Sequence, residues 1–205
     1  MIAFFLSGLL GYLLGSFPTG VLVSRLIRGA DVREHGSGHT GGLNVTRTAG
    51  LPAGVLTAVI DILKGAGSVL VAGALTDDPW AVTLAGVMAV VGHDWSIFLR
   101  FSGGIGLSTL AGTLLACSPW VALPAAIILL IVWLLLIKPL GVHRARATVA
   151  VMMLVGPILW ITGSSTWSLQ EIALGILGGA VVIIKTVPDW NRQYGKEERP
   201  EPQAP

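Results

Sequence analysis

Six apolar segments, each long enough to cross a lipid bilayer as a helix, dominate this 205-residue chain. A hydrocarbon core of about 30 Å requires roughly 20 apolar residues in helical conformation. Only 12% of the residues are charged, whereas soluble domains usually have about 25%, so the composition excludes an ordinary soluble globule. The predicted spans are Ile2–Leu26, Leu51–Leu75, Pro79–Leu99, Pro119–Ile137, Ala147–Gly163 and Leu169–Val187.

A shorter apolar run between Gly106 and Cys117 decides the predicted topology. If this run crosses the membrane, twelve of the 13 Lys and Arg residues lie on one side, the exception being Lys64 within the second span. If it does not cross, the last seven of these charges lie opposite the first five. The positive-inside rule therefore favours seven helices, with the N-terminus outside and the C-terminus in the cytoplasm.

These patterns together predict an all-α polytopic membrane protein of about seven transmembrane helices. Residues 1–190 are expected to form one membrane domain, and residues 191–205 a loose cytoplasmic tail. Pro18 lies inside the first span and is expected to kink or end that helix. The net charge of +2 gives no indication of nucleic-acid binding, and no spacing of potential ligands indicates a metal site.

The connection after the first span, residues 31–50, is rich in residues that can bind phosphate. It combines glycines and hydroxyl side chains with His35, His39, Arg33 and Arg47. Glycine lets the backbone approach a ligand closely, and successive backbone N–H groups can surround an anion. Arginine adds a planar fork that matches phosphate oxygens. The same composition is also typical of a flexible solvated loop.

Two further patterns add polar groups that can lie near this connection. Gly103 and Gly104 precede the short apolar run, and a glycine-rich turn that opens a helix can bind an anion, although ordinary tight turns look alike. Asp61 and Lys64 share one face of the second span, so they can serve a ligand or simply pair with each other. His93, at the end of the third span, is a candidate base, a candidate hydrogen-bond donor to phosphate, or only an interfacial cap.

In their order and spacing, these motifs resemble the bacterial acyl-phosphate:glycerol-3-phosphate acyltransferase family. The matching segments between Gly15 and Gly112 are Gly15-Ser16-Phe17-Pro18, Arg33-Glu34-His35-Gly36-Ser37-Gly38, Asn44-Val45 with Arg47, Asp61-Ile62-Leu63-Lys64-Gly65, Gly92-His93, and Phe98-Leu99-Arg100-Phe101 followed by Gly103-Gly104. The resemblance implies acyl transfer from a fatty acyl phosphate to glycerol 3-phosphate, without a cofactor. It also implies a place in the bacterial plasma membrane, with the active face in the cytoplasm and the acyl chain between helices.

The resemblance further implies roles for individual residues. Ser37, Arg47 and His93 are expected to be catalytic. The residues expected to bind substrate or phosphate are Gly38, His39, Asn44, Lys64, Gly103 and Gly104.

Several positions depart from the family pattern. The family usually has Asn at the position of His39, Thr or Ser at that of Leu43, and the Lys of a Gly-Gly-Lys-Gly motif at that of Ile105. The C-terminal family motif is nearly absent. Its nearest match, which needs a gap, is Asp189-Trp190-Asn191-Arg192 followed by Gly195-Lys196-Glu197. His39 is a candidate replacement charge or base, because imidazole can change its charge near neutral pH. A related acyltransferase with a different acceptor and a non-catalytic lipid- or phosphate-binding paralogue are therefore alternatives.

Overall fold

The computed structural model describes residues 1–163 and 167–192, which form nine α-helices and no β-strand. The helices are α1 (Ile2–Ser16), α2 (Thr19–Arg28), α3 (Gly42–Ala49), α4 (Leu51–Leu75), α5 (Pro79–Asp94), α6 (Leu107–Cys117), α7 (Pro119–Ile137), α8 (Arg144–Gly163) and α9 (Leu169–Thr186). Short 3₁₀ turns occupy Val32–Glu34, Ile97–Leu99 and Val187–Asp189. The predicted all-α class is confirmed, whereas most of the predicted tail lies outside the described residues.

The first predicted span consists of two helices, because the chain breaks at Phe17 and Pro18. Pro18 lacks a backbone N–H, and its ring disfavours helical conformation at the preceding residue. Carbonyl groups at the end of α1 therefore lose their helical partners. The Lys64 ammonium on α4 donates to two of these carbonyl oxygens, that of Gly15 at 3.1 Å and that of Phe17 at 3.0 Å. A side chain from another helix thus stabilises the break.

Small residues bring α1 and α5 into close backbone contact. A Cβ atom added at Gly11 would lie 2.2 Å from the carbonyl oxygen of Ala85, and one added at Gly15 would lie 2.0 Å from that of Ala89. Helices in membranes commonly pack through small residues spaced four apart, because the backbones can then approach closely. This contact fixes the end of α5, where His93 lies.

The short helix α6 packs against α4 in the same way. A Cβ atom at Gly65 of α4 would meet the carbonyl oxygen of Thr109 at 2.1 Å, and one at Gly112 of α6 would meet that of Ile62 at 2.0 Å. With 11 residues, α6 is about 16 Å long, at 1.5 Å per residue. It is therefore shorter than a bilayer core.

Six segments of the described chain are long and apolar enough to span a membrane, and α6 is the shorter apolar helix between the third and fourth of them. These six coincide closely with the predicted spans. The count of seven crossings depends on α6, so that count and the outward N-terminus stay predictions.

Helix α8 begins at Arg144, three residues before the predicted start at Ala147. The backbone N–H of Ala147 donates to the carbonyl oxygen of His143 at 2.9 Å, which places Arg144 and Arg146 in the first helical turn. The prediction was short here because it began the span at the first apolar residue. Arginine is a good helix former, and in this turn the Arg146 guanidinium lies 2.6 Å from the side-chain oxygen of Asn191, which follows the last helix.

An apolar core between α5, α6, α8 and α9 anchors the second half of the molecule. Its most completely buried members include Val90, Leu159, Leu174 and Val182. A smaller core joins α2 and α3 to the connection between them, around Val21, Val32 and Val45. The residues predicted to bind substrate lie between these two cores.

Candidate active site

Asn44 organises the connection between α2 and α3. Its side-chain nitrogen lies 3.0 Å from the carbonyl oxygen of Val32, 2.9 Å from that of His35 and 2.9 Å from that of His39. Its side-chain oxygen accepts the backbone N–H of Ser37 at 3.1 Å. Because Asn44 is only 3% exposed, these bonds hold the connection from within. The flexible-loop alternative does not describe this segment, which is folded around one amide.

A charge cluster secures the start of the same connection. Asp31 is buried and pairs with Arg25 at 2.8 Å and with Arg33 at 2.7 Å. The hydrogen bonds from Arg33, together with the positive charges of both arginines, hold the pKa of Asp31 well below its ordinary value. The carboxylate therefore stays charged throughout the neutral range and keeps the entry to the connection closed onto α2.

Ser37 and Gly38 follow on a turn that requires glycine. Gly36 has φ +55° and Gly38 φ +74°, values in the left-handed region that favours residues without a Cβ. A Cβ atom at Gly36 would also lie 2.4 Å from the side-chain oxygen of Asn44. The turn thus directs the nearly buried Ser37 side chain toward the interior.

His39 joins this connection to the end of α9. Its Nε2 atom lies 2.5 Å from a carboxylate oxygen of Asp189, a residue 150 positions later in the chain. The side chains of His39 and Asp189 are only 15% and 5% exposed. Arg192 also approaches Asp189, with 3.3 Å between the guanidinium and the other carboxylate oxygen. Two positions at which the sequence departs from the family pattern are therefore in contact.

Asp61, Lys64 and His93 form a buried cluster between α4 and α5. The Lys64 ammonium lies 2.9 Å from Asp61 and 3.3 Å from Nδ1 of His93. Asp61 and Lys64 therefore pair with each other, as one of the two alternatives predicted, and both also lie beside His93. The three protons of the ammonium are matched by Asp61 and by the carbonyl oxygens of Gly15 and Phe17, which all lie closer to it than Nδ1 of His93. The imidazole of His93 has an N–H donor in either tautomer.

Gly103 and Gly104 pack closely around His93. A Cβ atom at Gly104 would lie 2.1 Å from Nε2 of His93, and one at Gly103 would lie 2.1 Å from its carbonyl oxygen. The N–H of Gly104 already donates to this oxygen at 3.0 Å. The carbonyl of Gly103 in turn accepts the N–H of Thr40 at 3.4 Å. Gly103 and Gly104 thus join the segment between α2 and α3 to the segment between α5 and α6, around the His93 ring.

A cavity of about 330 Å³ lies where these elements meet. Five of the nine predicted site residues line it, together with Asp61. These five are Ser37, His39, Asn44, Arg47 and His93. The other four do not line this cavity. Lys64 lies behind His93, and Gly103 and Gly104 pack against His93. Gly38 lies in the turn after Ser37. The nine predicted residues therefore lie in one region, five of them at the cavity surface and four behind or beside these five.

Two arginines line this cavity from different helices. Arg47 belongs to α3 and Arg144 to the first turn of α8. No carboxylate lies within ion-pair distance of either guanidinium among residues 1–163 and 167–192. Ile105, at the position of the family lysine, lines the same cavity. The cavity therefore keeps two cations although it lacks that lysine.

Apolar side chains form the rest of the cavity wall. Leu43, Leu51 and Val55 come from α3 and α4, Leu107 from α6 and Trp133 from α7. The indole N–H of Trp133 donates to the hydroxyl of Thr148 at 3.0 Å, which fixes the ring. A ligand with a charged head and an apolar chain would satisfy both parts of this surface.

Sequence reasoning missed three residues at this site. Arg144 served only as a topology marker, Asp189 was noted only as part of the nearest match to a weak motif, and Trp133 was counted as a span residue. The departures at His39 and Ile105 were the available signal, because a lost or altered polar group calls for a compensating partner.

Comparison with known proteins assigns almost the entire chain to one family. Residues 5–194 match the family model for glycerol-3-phosphate acyltransferase. The chain is 40% identical to the glycerol-3-phosphate acyltransferase of Rubrobacter xylanophilus over 175 residues, which cover 85% of this chain and 83% of that one. It is 38% identical to that of Synechococcus elongatus over 201 residues, covering 93% and 91%.

Two solved structures of PlsY (YgiH), an integral membrane glycerol 3-phosphate acyltransferase, share the fold. The glycerol 3-phosphate form superposes with a TM-score of 0.77 at 32% identity, covering 94% of this chain and 92% of that one. The lysophosphatidic acid form gives a TM-score of 0.75 at 30% identity, covering 94% and 91%. This chain is an integral membrane protein and belongs to the glycerol-3-phosphate acyltransferase family.

Proposed function

We propose that this protein transfers a fatty acyl group from an acyl phosphate to the primary hydroxyl of glycerol 3-phosphate. The products are 1-acylglycerol 3-phosphate and inorganic phosphate, and the reaction takes place at the cytoplasmic face of a bacterial plasma membrane. Family membership supports the acceptor, as do the glycerol 3-phosphate and lysophosphatidic acid forms of the related PlsY. The motifs between residues 15 and 112 support the acyl phosphate donor.

The observation that carries this proposal is the two-sided cavity. Both substrates have a phosphate, and one of them also has a long acyl chain. Arg47 and Arg144 offer two cations, while Leu43, Leu107 and Trp133 offer an apolar surface. Guanidinium groups bind phosphate oxygens through two parallel hydrogen bonds, which both neutralise and orient the anion. Two such groups can hold the two phosphates near each other.

An acyl phosphate is already activated, so the protein has to supply position and charge stabilisation. The hydroxyl oxygen of the acceptor attacks the carbonyl carbon, the bond from that carbon to the phosphate oxygen breaks, and phosphate leaves with the electron pair. Ser37 and the N–H of His93 are the donors closest in kind to what the developing oxyanion requires. The arginines stabilise the leaving phosphate. The attacking hydroxyl must also lose its proton.

The experiment is a phosphate-release assay on purified protein in lipid or detergent micelles, with palmitoyl phosphate as donor. Release is expected only when glycerol 3-phosphate is present. Arg47→Ala is expected to lower kcat/KM by about 10- to 100-fold, because a hydrogen bond to a charged group contributes about 1.5–3 kcal/mol. Arg28→Ala, a change of the same kind outside the cavity, is the control. Acceptor-independent release, or no release at all, would contradict the proposal.

A different acceptor is the second candidate, and Ile105 is the observation that favours it. An apolar residue at this point of the cavity would suit a less anionic acceptor than glycerol 3-phosphate. Replacing glycerol 3-phosphate in the assay by glycerol or another polyol separates the two candidates. A higher kcat/KM with an uncharged polyol would favour the second.

A further inference from the structure

The proposed reaction releases a proton from the acceptor hydroxyl, and the site contains two imidazoles that could receive it. Both His39 and His93 line the cavity. They differ in what holds their rings. Both ring nitrogens of His93 lie against protein groups, because Nδ1 is 3.3 Å from the Lys64 ammonium and 3.7 Å from Asp61, and a Cβ atom on Gly104 would lie 2.1 Å from Nε2. The His93 ring is therefore enclosed by the protein at both nitrogens.

The His39 ring, by contrast, is held through one nitrogen in the described chain. Its Nε2 atom lies 2.5 Å from the carboxylate of Asp189. An ionised carboxylate can only accept, so the proton of the neutral ring is on Nε2 and Nδ1 keeps its lone pair. No hydrogen bond engages Nδ1 of His39 within the part of the chain that the structure describes. The ring nitrogen that can act as a base is therefore the one left for a ligand.

We infer that His39 takes the proton from the acceptor hydroxyl, and that Asp189 is the positioning residue that holds its ring for this task. The inference rests on the proposed function and names a residue pair within that site. As the hydroxyl oxygen forms its bond to the carbonyl carbon, its proton passes to Nδ1 of His39. The electron pair of the broken carbon–oxygen bond leaves with phosphate. The imidazolium that results is stabilised by Asp189 and returns its proton to solvent or to the released phosphate.

The geometry of the pair suits this role. Asp189 lies in the turn after α9, and the packed core between α5, α6, α8 and α9 fixes that turn. Asp189 is 3% exposed, so little water competes for its carboxylate. His39 follows Ser37, whose hydroxyl accepts the N–H of His39 at 3.5 Å. The base and a candidate oxyanion donor thus belong to the same short turn.

Other charged groups lie around His39 and enter the interpretation of any pH profile. They come from each element that borders the cavity or contacts Asp189. These groups are Arg47 on α3, Asp61 and Lys64 on α4, His93 on α5, Arg144 on α8, Lys185 on α9, and Asp189 and Arg192 after α9. Apart from Asp189 these groups are unchanged in every variant below, so a change in profile can be assigned to the pair of His39 and Asp189.

The test compares four proteins by the pH dependence of acyl transfer from palmitoyl phosphate to glycerol 3-phosphate. They are the wild type, His39→Asn, Asp189→Asn and the double variant. His39→Asn is expected to lower kcat by about 100-fold, within the range of general base catalysis. It is also expected to remove the rise of kcat with pH. KM for glycerol 3-phosphate is expected to change by less than about threefold, because the base acts on the transition state.

Asp189→Asn is expected to lower kcat by at least about tenfold in the wild type and to have no further effect in His39→Asn, because residues acting as one unit are not additive. His35→Asn is the matched control. His35 lies on the same connection and is exposed, and its side chain bonds only to the carbonyl oxygen of Asp31 in the described chain, so a wild-type profile is expected. If Asp189→Asn lowers kcat by the same factor in the His39→Asn background as in the wild type, the inference is overturned. The effect of Asp189 would then be structural only.

A spectroscopic measurement separates this inference from the function on which it rests. The ¹⁵N imidazole spectrum of wild-type protein in micelles is expected to show neutral His39 with its proton on Nε2. A proton on Nδ1 would overturn the inference whatever the activity. If the wild type shows no turnover, the proposed function fails. If it turns over and His39→Asn keeps the same kcat and pH profile, only the role of His39 fails.

Discussion

Arg144 and Ile105 line the same cavity, one with a cation and the other with an apolar side chain. The resemblance implies a lysine at position 105, and the chain has an apolar side chain there that lines the cavity. Arg144 lines the same cavity from a helix that is distant in sequence. One charge-assisted contact to phosphate is worth about 1.5–3 kcal/mol, so its loss without replacement would weaken binding markedly.

We therefore predict that Arg144→Ala raises KM for a phosphate substrate by about tenfold or more. Adding Ile105→Lys to this variant is expected to restore KM, because it returns a cation to the same cavity. Steady-state kinetics with each substrate varied in turn measures both effects. Arg146→Ala is the control: Arg146 lies two residues away, bonds to Asn191 and contacts Trp190 without lining the cavity. A KM change as large for Arg146→Ala would contradict the role of Arg144.

Gly104 carries a second prediction at this scale. A methyl group at this position would lie 2.1 Å from Nε2 of His93, so Gly104→Ala must displace the ring or the turn. We expect kcat to fall by at least about tenfold, since a displacement of about 1 Å at a reacting group can cost 100-fold. Gly67→Ala in α4, where a Cβ atom meets nothing within 4 Å, is expected to leave kcat unchanged. Equal activities of the two variants would contradict this account.

The connection between α2 and α3 behaves as a structural element although it has little regular structure. Asn44 alone contacts four backbone groups within it. We predict that Asn44→Ala releases residues 32–42, because each lost hydrogen bond contributes about 1 kcal/mol and the buried carbonyl groups lose their donor. Hydrogen–deuterium exchange is expected to show faster exchange there, together with a fall in kcat.

Thr48→Ala provides the comparison for this prediction. Thr48 lies on the same helix, and its side chain bonds only to the carbonyl oxygen of Asn44 in the described chain, an oxygen of the helix itself. Its replacement is expected to leave exchange in residues 32–42 unchanged. If the two variants exchange alike, Asn44 does not organise the connection.

Element boundaries were predictable wherever a single residue decides them. Pro18 broke the first span as expected, and apolar run lengths located the long helices to within a few residues. Helix α3 was not predicted, because its residues are mostly polar and glycine-rich, and tertiary contacts override such weak local preferences. The start of α8 was misplaced for a related reason, since its first turn is charged.

At the scale of the molecule, the predicted topology is open to direct measurement. We predict that the segment between α4 and α5 lies outside and the segment between α7 and α8 lies in the cytoplasm. In a Cys117→Ser background, Asp77→Cys is expected to react with a membrane-impermeant maleimide added to intact cells. Lys138→Cys is expected to react only after lysis. Both side chains are exposed, so burial does not confuse the result. The reverse pattern would mean an inverted protein.

The sequence allowed only some of the contacts between the site residues to be predicted. The motifs indicated that Ser37, Arg47 and His93 belong together, because the resemblance covers all three. No local pattern could place Asp189 beside His39, since 150 residues separate them and the contact depends on how α9 packs. Lys64 was expected to bind substrate, and the structure shows its ammonium held by two carbonyl oxygens and by His93. Its role toward substrate stays a prediction.

The contact between Lys64 and the broken first span has a consequence for biogenesis. Backbone carbonyl groups without partners are costly in lipid. The carbonyl of Gly15 accepts an ammonium proton from α4, whereas that of Phe17 accepts both this ammonium and the backbone N–H of Thr19. During synthesis, α1 and α2 leave the ribosome well before Lys64 does. The first span of the nascent chain is therefore incomplete when it reaches the insertion machinery, and it is finished only when the second span arrives beside it.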